Sequence, residues 1–185
     1  MSLDFDAILR RIRPDKRTSP LTHRPDEALI RAETLAGSQV RLLPDTNVYI
    51  VDAAGGLPTG VQDVLDRGLL FHCSVCFAEL ALGLAAYNPL ASGWAAQRDH
   101  YRELFDNVPP GRLLTPDESI WLTAATVAGV LARVEGRTRA QHADLLNDAL
   151  IYLTAAKAGV PVLTGNRRDF DLIQQVAGTG QFLWF

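Results

Sequence analysis

The sequence predicts an α/β fold, a three-layer α/β/α sandwich around a mostly parallel sheet, preceded by a helical N-terminal arm. Short apolar runs with the character of buried strands alternate with longer stretches of helical periodicity. The order strand, helix, strand, helix favours parallel strands joined by crossover helices. At 185 residues with 48% hydrophobic content, the chain is long enough for one domain with a substantial core.

Residues 1 to 39 form the predicted arm, and residues 40 to 185 the predicted domain. In the arm, apolar residues between Leu3 and Ile12 fall near one helical face, and Pro14 ends the pattern. A short amphipathic helix is therefore expected at the start of the arm.

A polar connector follows, and residues 26 to 36 are predicted to form a second helix that ends at Gly37. We expect the arm to dock on the domain or on a partner. The alternative is that the cluster of Arg10, Arg11 and Arg13 contacts RNA directly.

The opening strand of the domain, residues 40 to 44, delivers Asp45 to the carboxyl end of a buried strand. Ligands of open α/β folds bind outside that edge of the sheet, so Asp45 is a candidate site residue. Pro44 cannot donate to a neighbouring strand, which a central strand tolerates only at its last residue.

The next elements continue the alternation. They are a short helix over residues 60 to 67, a strand over 69 to 73, a helix over 93 to 105, an edge strand over 112 to 115 and a long helix over 117 to 135. Ser74 is the predicted N-cap of a further helix, which carries Glu79 within about two turns of its start. Cys73 and Cys76 lack the further Cys or His pair of a zinc site and are expected to pack in the core.

The last third begins with a helix over residues 139 to 158 that is apolar nearly all round and therefore largely buried. A β-branched strand over 160 to 164 follows, then a polar turn that leads into a helix. Residues 181 to 185 form the final predicted strand, whose aromatic side chains belong to the core or to an interface.

Acidic residues mark the ends of several of these elements. Asp144 and Asp148 share one helix face, and the apolar neighbours of Asp148 make an unpaired carboxylate costly there. A hydrogen-bonded structural role is one explanation for Asp148. The other is that Asp45, Glu79, Asp148 and Asp169 meet at one edge of the sheet, where their mutual repulsion demands a divalent cation. Mg²⁺ or Mn²⁺ suits such all-oxygen ligands.

An ion bound there would activate a water molecule and neutralise the charge that builds up on a phosphodiester. Consistently, the chain has neither a G-x-S-x-G nucleophile elbow nor a P-loop. A haloacid-dehalogenase-type phosphohydrolase needs a second aspartate two residues after the first, and Asn47 stands there instead.

The formal net charge of −3 argues against nucleic-acid binding only if the acids are spread evenly. Without the four candidate metal ligands, 17 acids stand against 18 Lys and Arg residues. No apolar run approaches the roughly 20 residues of a membrane span, and the N-terminus lacks a secretory signal. We expect a cytoplasmic protein with no membrane partner.

At these acids the chain resembles the PIN-domain family, in particular the VapC-like toxin ribonucleases of type II toxin-antitoxin systems. The resembling segments are residues 43 to 48, 74 to 80, 148 to 156 and 163 to 170, in that order. The resemblance implies a PIN-like α/β/α sandwich and a Mg²⁺- or Mn²⁺-dependent endoribonuclease. It also implies an RNA substrate, a homodimer and a cognate antitoxin protein as partner.

By the same resemblance, Asp45, Glu79 and Asp148 match the three principal metal-binding and catalytic acids, and Asp169 is the best fourth. Four residues are expected to support them, namely Thr46, Asp144, Thr164 and Asn166. Asn166 stands where some members carry an acid, and Asp144 either extends the metal site or is an ordinary exposed acid. Asp171 is expected at the surface.

Four arginines lie beside these acids in sequence and could contact RNA phosphates, namely Arg137, Arg139, Arg167 and Arg168. Solvated surface charge is the alternative for each of them. The alternative for the whole protein is a non-catalytic PIN-like binding or scaffold module that acts through its N-terminal arm.

Overall fold

The computed structural model describes residues 4 to 185, so residues 1 to 3, including Leu3 of the predicted arm helix, lie outside it. The helices are α1 Phe5–Ile12, α2 Thr46–Ala53, α3 Thr59–Arg67, α4 Ser74–Ala86, α5 Trp94–Asp106, α6 Glu118–Val134, α7 His142–Ala158 and α8 Arg167–Ala177. The strands are β1 Ile30–Arg31, β2 Arg41–Pro44, β3 Leu69–Leu70, β4 His72–Cys73, β5 Leu113–Leu114, β6 Val162–Thr164 and β7 Phe182–Trp184.

The central sheet has five strands in the order β1-β7-β6-β2-β3, and β4 pairs with β5 in a separate two-stranded sheet. All of these pairs are parallel. Successive residues of β2 point to opposite faces, and Leu42 and Leu43 are both fully buried, in different apolar clusters. Helices therefore cover both faces of the sheet, and the predicted three-layer α/β class is confirmed.

Pro44 is accommodated by the hydrogen-bonding pattern of β2. The backbone N–H groups of Leu43 and Asp45 donate to Pro161 O, just before β6, and to Leu163 O of β6. By the alternation of a parallel ladder, the nitrogen of Pro44 faces β3 instead. On that side the last bond runs from Phe71 N to Leu42 O, before the chain turns away into β4. Pro44 thus lies where the ladder ends.

The prediction of a helix over residues 26 to 36 was wrong. Two 3-10 turns, Asp26–Ala28 and Ala32–Leu35, flank the strand β1, which pairs with β7. The Arg31 guanidinium lies 4.3 Å from the centre of the Trp184 ring. Pairing and stacking with distant residues therefore prevail over the local helical pattern.

The rest of the arm packs on the domain, as one of the two expected modes proposed. Ile8 and Ile12 of α1 are buried in the main core, next to α6. The division into an arm and a domain at residue 39 stays a prediction. The strand β1, which precedes residue 39, belongs to the same sheet as strands that follow it.

Asp171 was expected at the surface, and this prediction was wrong. Its side chain is only 1% exposed and accepts hydrogen bonds from Arg24 Nε at 2.6 Å and Arg24 N at 2.9 Å. The carboxylate is buried because the arm crosses α8 at this point and supplies the compensating charge. Asp171 therefore fastens the arm to the domain.

Several element boundaries also differ from the predictions. The helix α2 directly follows Asp45, where no helix was predicted. The strand predicted over residues 69 to 73 is divided between the two sheets. Cys73 rather than Ser74 is the N-cap residue of α4, and the helix predicted from residue 139 begins with a 3-10 turn.

The other predicted helices and strands are present close to their expected bounds. Cys73 and Cys76 are both buried free thiols, as expected for core residues. In the described range, no helix combines the length and the apolar character needed to cross a membrane.

Candidate functional site

Asp45 lies at the carboxyl end of β2 and forms the N-cap of α2. Its carboxylate accepts hydrogen bonds from Thr46 N at 2.7 Å, Asn47 Nδ2 at 2.7 Å and Thr164 Oγ1 at 2.8 Å. Thr164 ends the neighbouring parallel strand β6, so both residues reach the same edge of the sheet. Asp45 is therefore held rigidly at the position where the sequence placed a site residue.

The pKa of Asp45 is raised to about 6. Burial of the carboxyl is the main cause, and the charge of Glu79 adds to it. The hydrogen bonds from Thr164 and Thr46 N lower the pKa but do not outweigh burial. The site thus holds a carboxyl group that is poorly compensated when it is ionised.

Glu79 reaches this edge from α4. Thr46 Oγ1 donates to its Oε2, and Asn147 Nδ2 donates to its Oε1 at 2.9 Å. Thr46 therefore contacts two candidate metal ligands. Its backbone N donates to Asp45, and its side-chain hydroxyl donates to Glu79. Asn147 is a site residue that the sequence reasoning missed, although its place beside Asp148 on a largely apolar helix is a signal for it.

Asp148 of α7 is half-buried in the same place. Burial raises its pKa well above the ordinary value, and the charges of Asp45, Asp169, Glu79 and Asp144 raise it further, in that order. The carboxylates of Asp45, Glu79, Asp148 and Asp169 are therefore close enough to influence one another electrostatically. We call these four residues the acidic site.

Asn166 joins the last two acids of the acidic site. Its side-chain amide nitrogen lies 3.2 Å from Asp148 Oδ2 and 3.1 Å from Asp169 Oδ2. Its Oδ1 accepts from Asp169 N at 3.3 Å as the N-cap of α8, and its backbone N donates to Thr164 Oγ1 at 2.9 Å. Asn166 thus holds the two carboxylates from the turn between β6 and α8.

Asn47 links two turns at the edge of the sheet and was also missed as a site residue. Its amide donates to Asp45, and its Oδ1 accepts from Gly165 N at 3.0 Å. The signal in the sequence is an amide side chain two residues after the strand-end acid. The Asn47 side chain ties the start of α2 to the turn after β6.

The four candidate RNA-binding arginines lie in different environments. Arg137 forms an ion pair with Asp169 and so borders the acidic site. Arg167 is paired with Asp26 of the arm. Arg139 and Arg168 are exposed, as is the acid Asp144.

The donor atoms of the acidic site fit a hard divalent cation, since all four candidates offer carboxylate oxygens. The raised pKa values of Asp45 and Asp148 indicate negative charge that a cation would compensate. Within residues 4 to 185, no three His, Cys, Asp or Glu side chains are grouped closely enough to hold a metal ion as they stand. Neutral donors, chiefly Thr46 and Asn166, bridge the acids instead.

Comparison with solved structures shows which known proteins share the fold. VapBC2 from Rickettsia felis, solved bound to a DNA fragment from their promoter, matches with a TM-score of 0.55 and 11% identity, over 78% of this chain and 98% of that chain. FitAcB from Neisseria gonorrhoeae matches with a TM-score of 0.53 and 22% identity, over 77% of this chain and 96% of that chain.

FitAB bound to the IR36 DNA fragment matches with a TM-score of 0.55 and 20% identity, over 77% of this chain and 93% of that chain. No family model matches the sequence, and no curated protein sequence does so either. The predicted PIN-like fold is confirmed by these structural matches.

Proposed function

We propose that this protein is a divalent-metal-dependent endoribonuclease that hydrolyses RNA phosphodiester bonds. The observation that carries the proposal is the convergence of Asp45, Glu79, Asp148 and Asp169 from four separate elements at the carboxyl edge of a parallel sheet. Ligand sites of open α/β folds occupy this edge. The fold shared with VapBC2 and FitAB supports the same conclusion.

The four acids of the acidic site would hold Mg²⁺ or Mn²⁺. When bound, the ion would lower the pKa of a water molecule and offset the negative charge of the phosphate under attack. No protein nucleophile is then required.

The chain's own residues supply the orientation. Thr164 and Asn47 hold Asp45, while Thr46 and Asn147 hold Glu79 from opposite sides. These bonds limit the orientations that the Asp45 and Glu79 carboxylates can take.

Arg137 supplies a positive charge beside the acids, because its guanidinium is paired with Asp169. A guanidinium can bind two phosphate oxygens at once. We propose that Arg137 contacts a phosphate of the RNA strand and so guides it to the acidic site.

The decisive experiment compares wild type with Asp45→Asn on single-stranded RNA in Mg²⁺, in Mn²⁺ and in EDTA. We expect cleavage by the wild type with either metal, no cleavage in EDTA, and loss of activity in the variant with an unchanged circular dichroism spectrum. Asp106→Asn, an exposed acid on α5, is the matched control and should cleave normally. Equal activity of Asp45→Asn and wild type would overturn the proposal.

The alternative is a non-catalytic PIN-like scaffold that acts through its arm. Calorimetric titration with Mn²⁺ separates the two functions, since the nuclease must bind the metal and the scaffold need not. In the structure Ile8 and Ile12 of the arm are buried on the domain, while Phe5 and Ile30 of the arm are exposed.

We further propose that the nuclease is the toxin of a toxin-antitoxin pair, that it forms a homodimer and that it acts in the cytoplasm. Its resemblance to VapC-like toxins and its fold match to VapBC2 and FitAB support this role. Induced expression should arrest growth for wild type and not for Asp45→Asn, and sedimentation should give twice the mass of one chain.

A further inference from the structure

A narrow slot of about 320 Å³ lies between α4 and the start of α6. Its walls are mainly apolar and include Val75, Ala78, Leu82, Pro116 and Trp121. The volume is at the lower end of the range of about 300 to 1,000 Å³ found for small-molecule sites. The slot is therefore large enough for one group of nucleobase size.

Two of the large apolar side chains that line the slot are unusually exposed. Trp121 is 47% exposed and Leu82 is 71% exposed, although most large apolar side chains of the described range lie in the core. Trp121 stands one turn after Asp117, the N-cap of α6, so its backbone is fixed by the helix. The Trp121 side chain is thus partly open to solvent at the wall of the slot.

The slot is continuous with the acidic site. Glu79 and Asn147, which are joined by a hydrogen bond of 2.9 Å, also line one end of the slot. Whatever binds in the slot therefore lies beside the carboxylates that would meet the scissile phosphate. A strand that is cut at the acidic site must place its neighbouring bases close to this opening.

The chemistry of the slot favours a nucleobase. None of the described residues that line it is Lys or Arg, so it is not a phosphate site. Its polar groups are the hydroxyls of Ser74 and Thr115, the amide of Asn147 and the carboxylate of Glu79, which can bond to base edges. Unpaired RNA bases stack on exposed aromatic side chains, and every base offers a face for this contact.

We propose that Trp121 stacks against an unpaired base of the RNA strand next to the bond that is cut. This inference rests on the proposed nuclease function and adds a residue that binds the RNA strand beside the acidic site. Trp121 is then a binding residue that positions the strand, while the acidic site carries the chemistry.

The test measures binding of labelled single-stranded RNA by fluorescence anisotropy, in Mg²⁺ and in the cleavage-deficient Asp45→Asn background. We expect Trp121→Ala to raise the Kd roughly 10-fold and Trp121→Phe to retain most of the affinity. Trp94→Ala is the matched control, because Trp94 lies on α5 and does not line the slot. It should leave the Kd unchanged. Thermal melting checks that each variant is folded.

A second readout uses the tryptophan itself. Unlabelled RNA should quench the intrinsic fluorescence of Asp45→Asn combined with Trp94→Phe, and should quench it far less when Trp121→Phe is used instead. An oligonucleotide with one abasic position beside the cleavage site should have the same Kd for the protein that keeps Trp121 and for the Trp121→Ala variant.

An unchanged Kd for Trp121→Ala would overturn the inference. If the same variant also shifts from dimer to monomer in sedimentation, the slot is instead a contact between two copies of the chain. RNA cleavage is measured separately in proteins that keep Asp45, and RNA binding is measured in Asp45→Asn. Failure of the nuclease proposal is therefore distinguishable from failure of the stacking site.

Discussion

The side-chain amide of Asn166 donates to Asp148 at 3.2 Å, and so supplies a neutral partner to a carboxylate that several other acids surround. A neutral amide at this point limits the negative charge of the acidic site. The net charge of the acidic site is therefore set in part by this one residue.

Asn166→Asp should increase metal affinity and reduce the stability of the metal-free protein. The new carboxylate would lie beside Asp148 and Asp169, adding both a ligand and a like-charge repulsion. We expect the Tm to fall by several degrees in EDTA and to rise more steeply with Mn²⁺ than in the wild type. Asn88→Asp, an exposed change of the same kind, should have neither effect. A Tm that is unchanged in EDTA and in Mn²⁺ would contradict this prediction.

The raised pKa of Asp45 predicts how stability depends on pH without metal. Because the folded pKa, about 6, lies above the ordinary value of 3.8, the stability that Asp45 contributes is fully present below about pH 4 and is lost as pH rises through about 6. The full difference is roughly 3 kcal/mol. Urea unfolding in EDTA at pH 5 and pH 7.5 should show a larger loss in the wild type than in Asp45→Ala, which keeps the contribution of Asp148. Mg²⁺ should restore stability at the higher pH.

Asp171→Ala should destabilise the protein by roughly 2 to 4 kcal/mol, since it leaves Arg24 without its buried partner. Burial raises the pKa of Asp171, but the hydrogen bonds from Arg24 outweigh burial and hold it below the ordinary value. Its stabilising contribution is therefore present above about pH 4 and is lost as the pH falls further. Urea unfolding at pH 7 measures the loss, and Asp106→Asn should unfold like the wild type. A wild-type midpoint for Asp171→Ala would show that the arm is fastened elsewhere.

Arg137→Gln should lower kcat/KM for RNA cleavage by about 10-fold or more, because it removes a charged contact with phosphate. The pair with Asp169 would also be lost, so the variant's Mn²⁺ affinity needs a parallel calorimetric measurement. Arg102→Gln, on the exposed side of α5, is the control and should cleave at the wild-type rate. Normal kinetics for Arg137→Gln would remove Arg137 from the RNA-binding surface.

The sequence predicted the elements that local pattern controls. Leu42 and Leu43 belong to a short apolar run, and such a run ending in Asp45 indicates a buried parallel strand with an acid at its edge. The sequence also predicted that the acids of α4, α7 and α8 lie near Asp45, because parallel strands bring their carboxyl ends to one edge of the sheet.

The features that the sequence did not predict depend on distant partners. β1 has two residues, too few for a periodic pattern, and it exists because it pairs with Leu183 and Trp184. Asp171 is buried because Arg24 crosses it, which no local pattern shows. The roles of Asn47 and Asn147 likewise depend on which carboxylate the fold brings within reach.

The position of β7 between β6 and β1 has a consequence for synthesis of the protein. Ile30 is translated long before its partner Leu183. Pairings between residues so far apart in sequence form slowly. We therefore expect the nascent polypeptide to stay without its completed sheet until residues 182 to 184 have emerged.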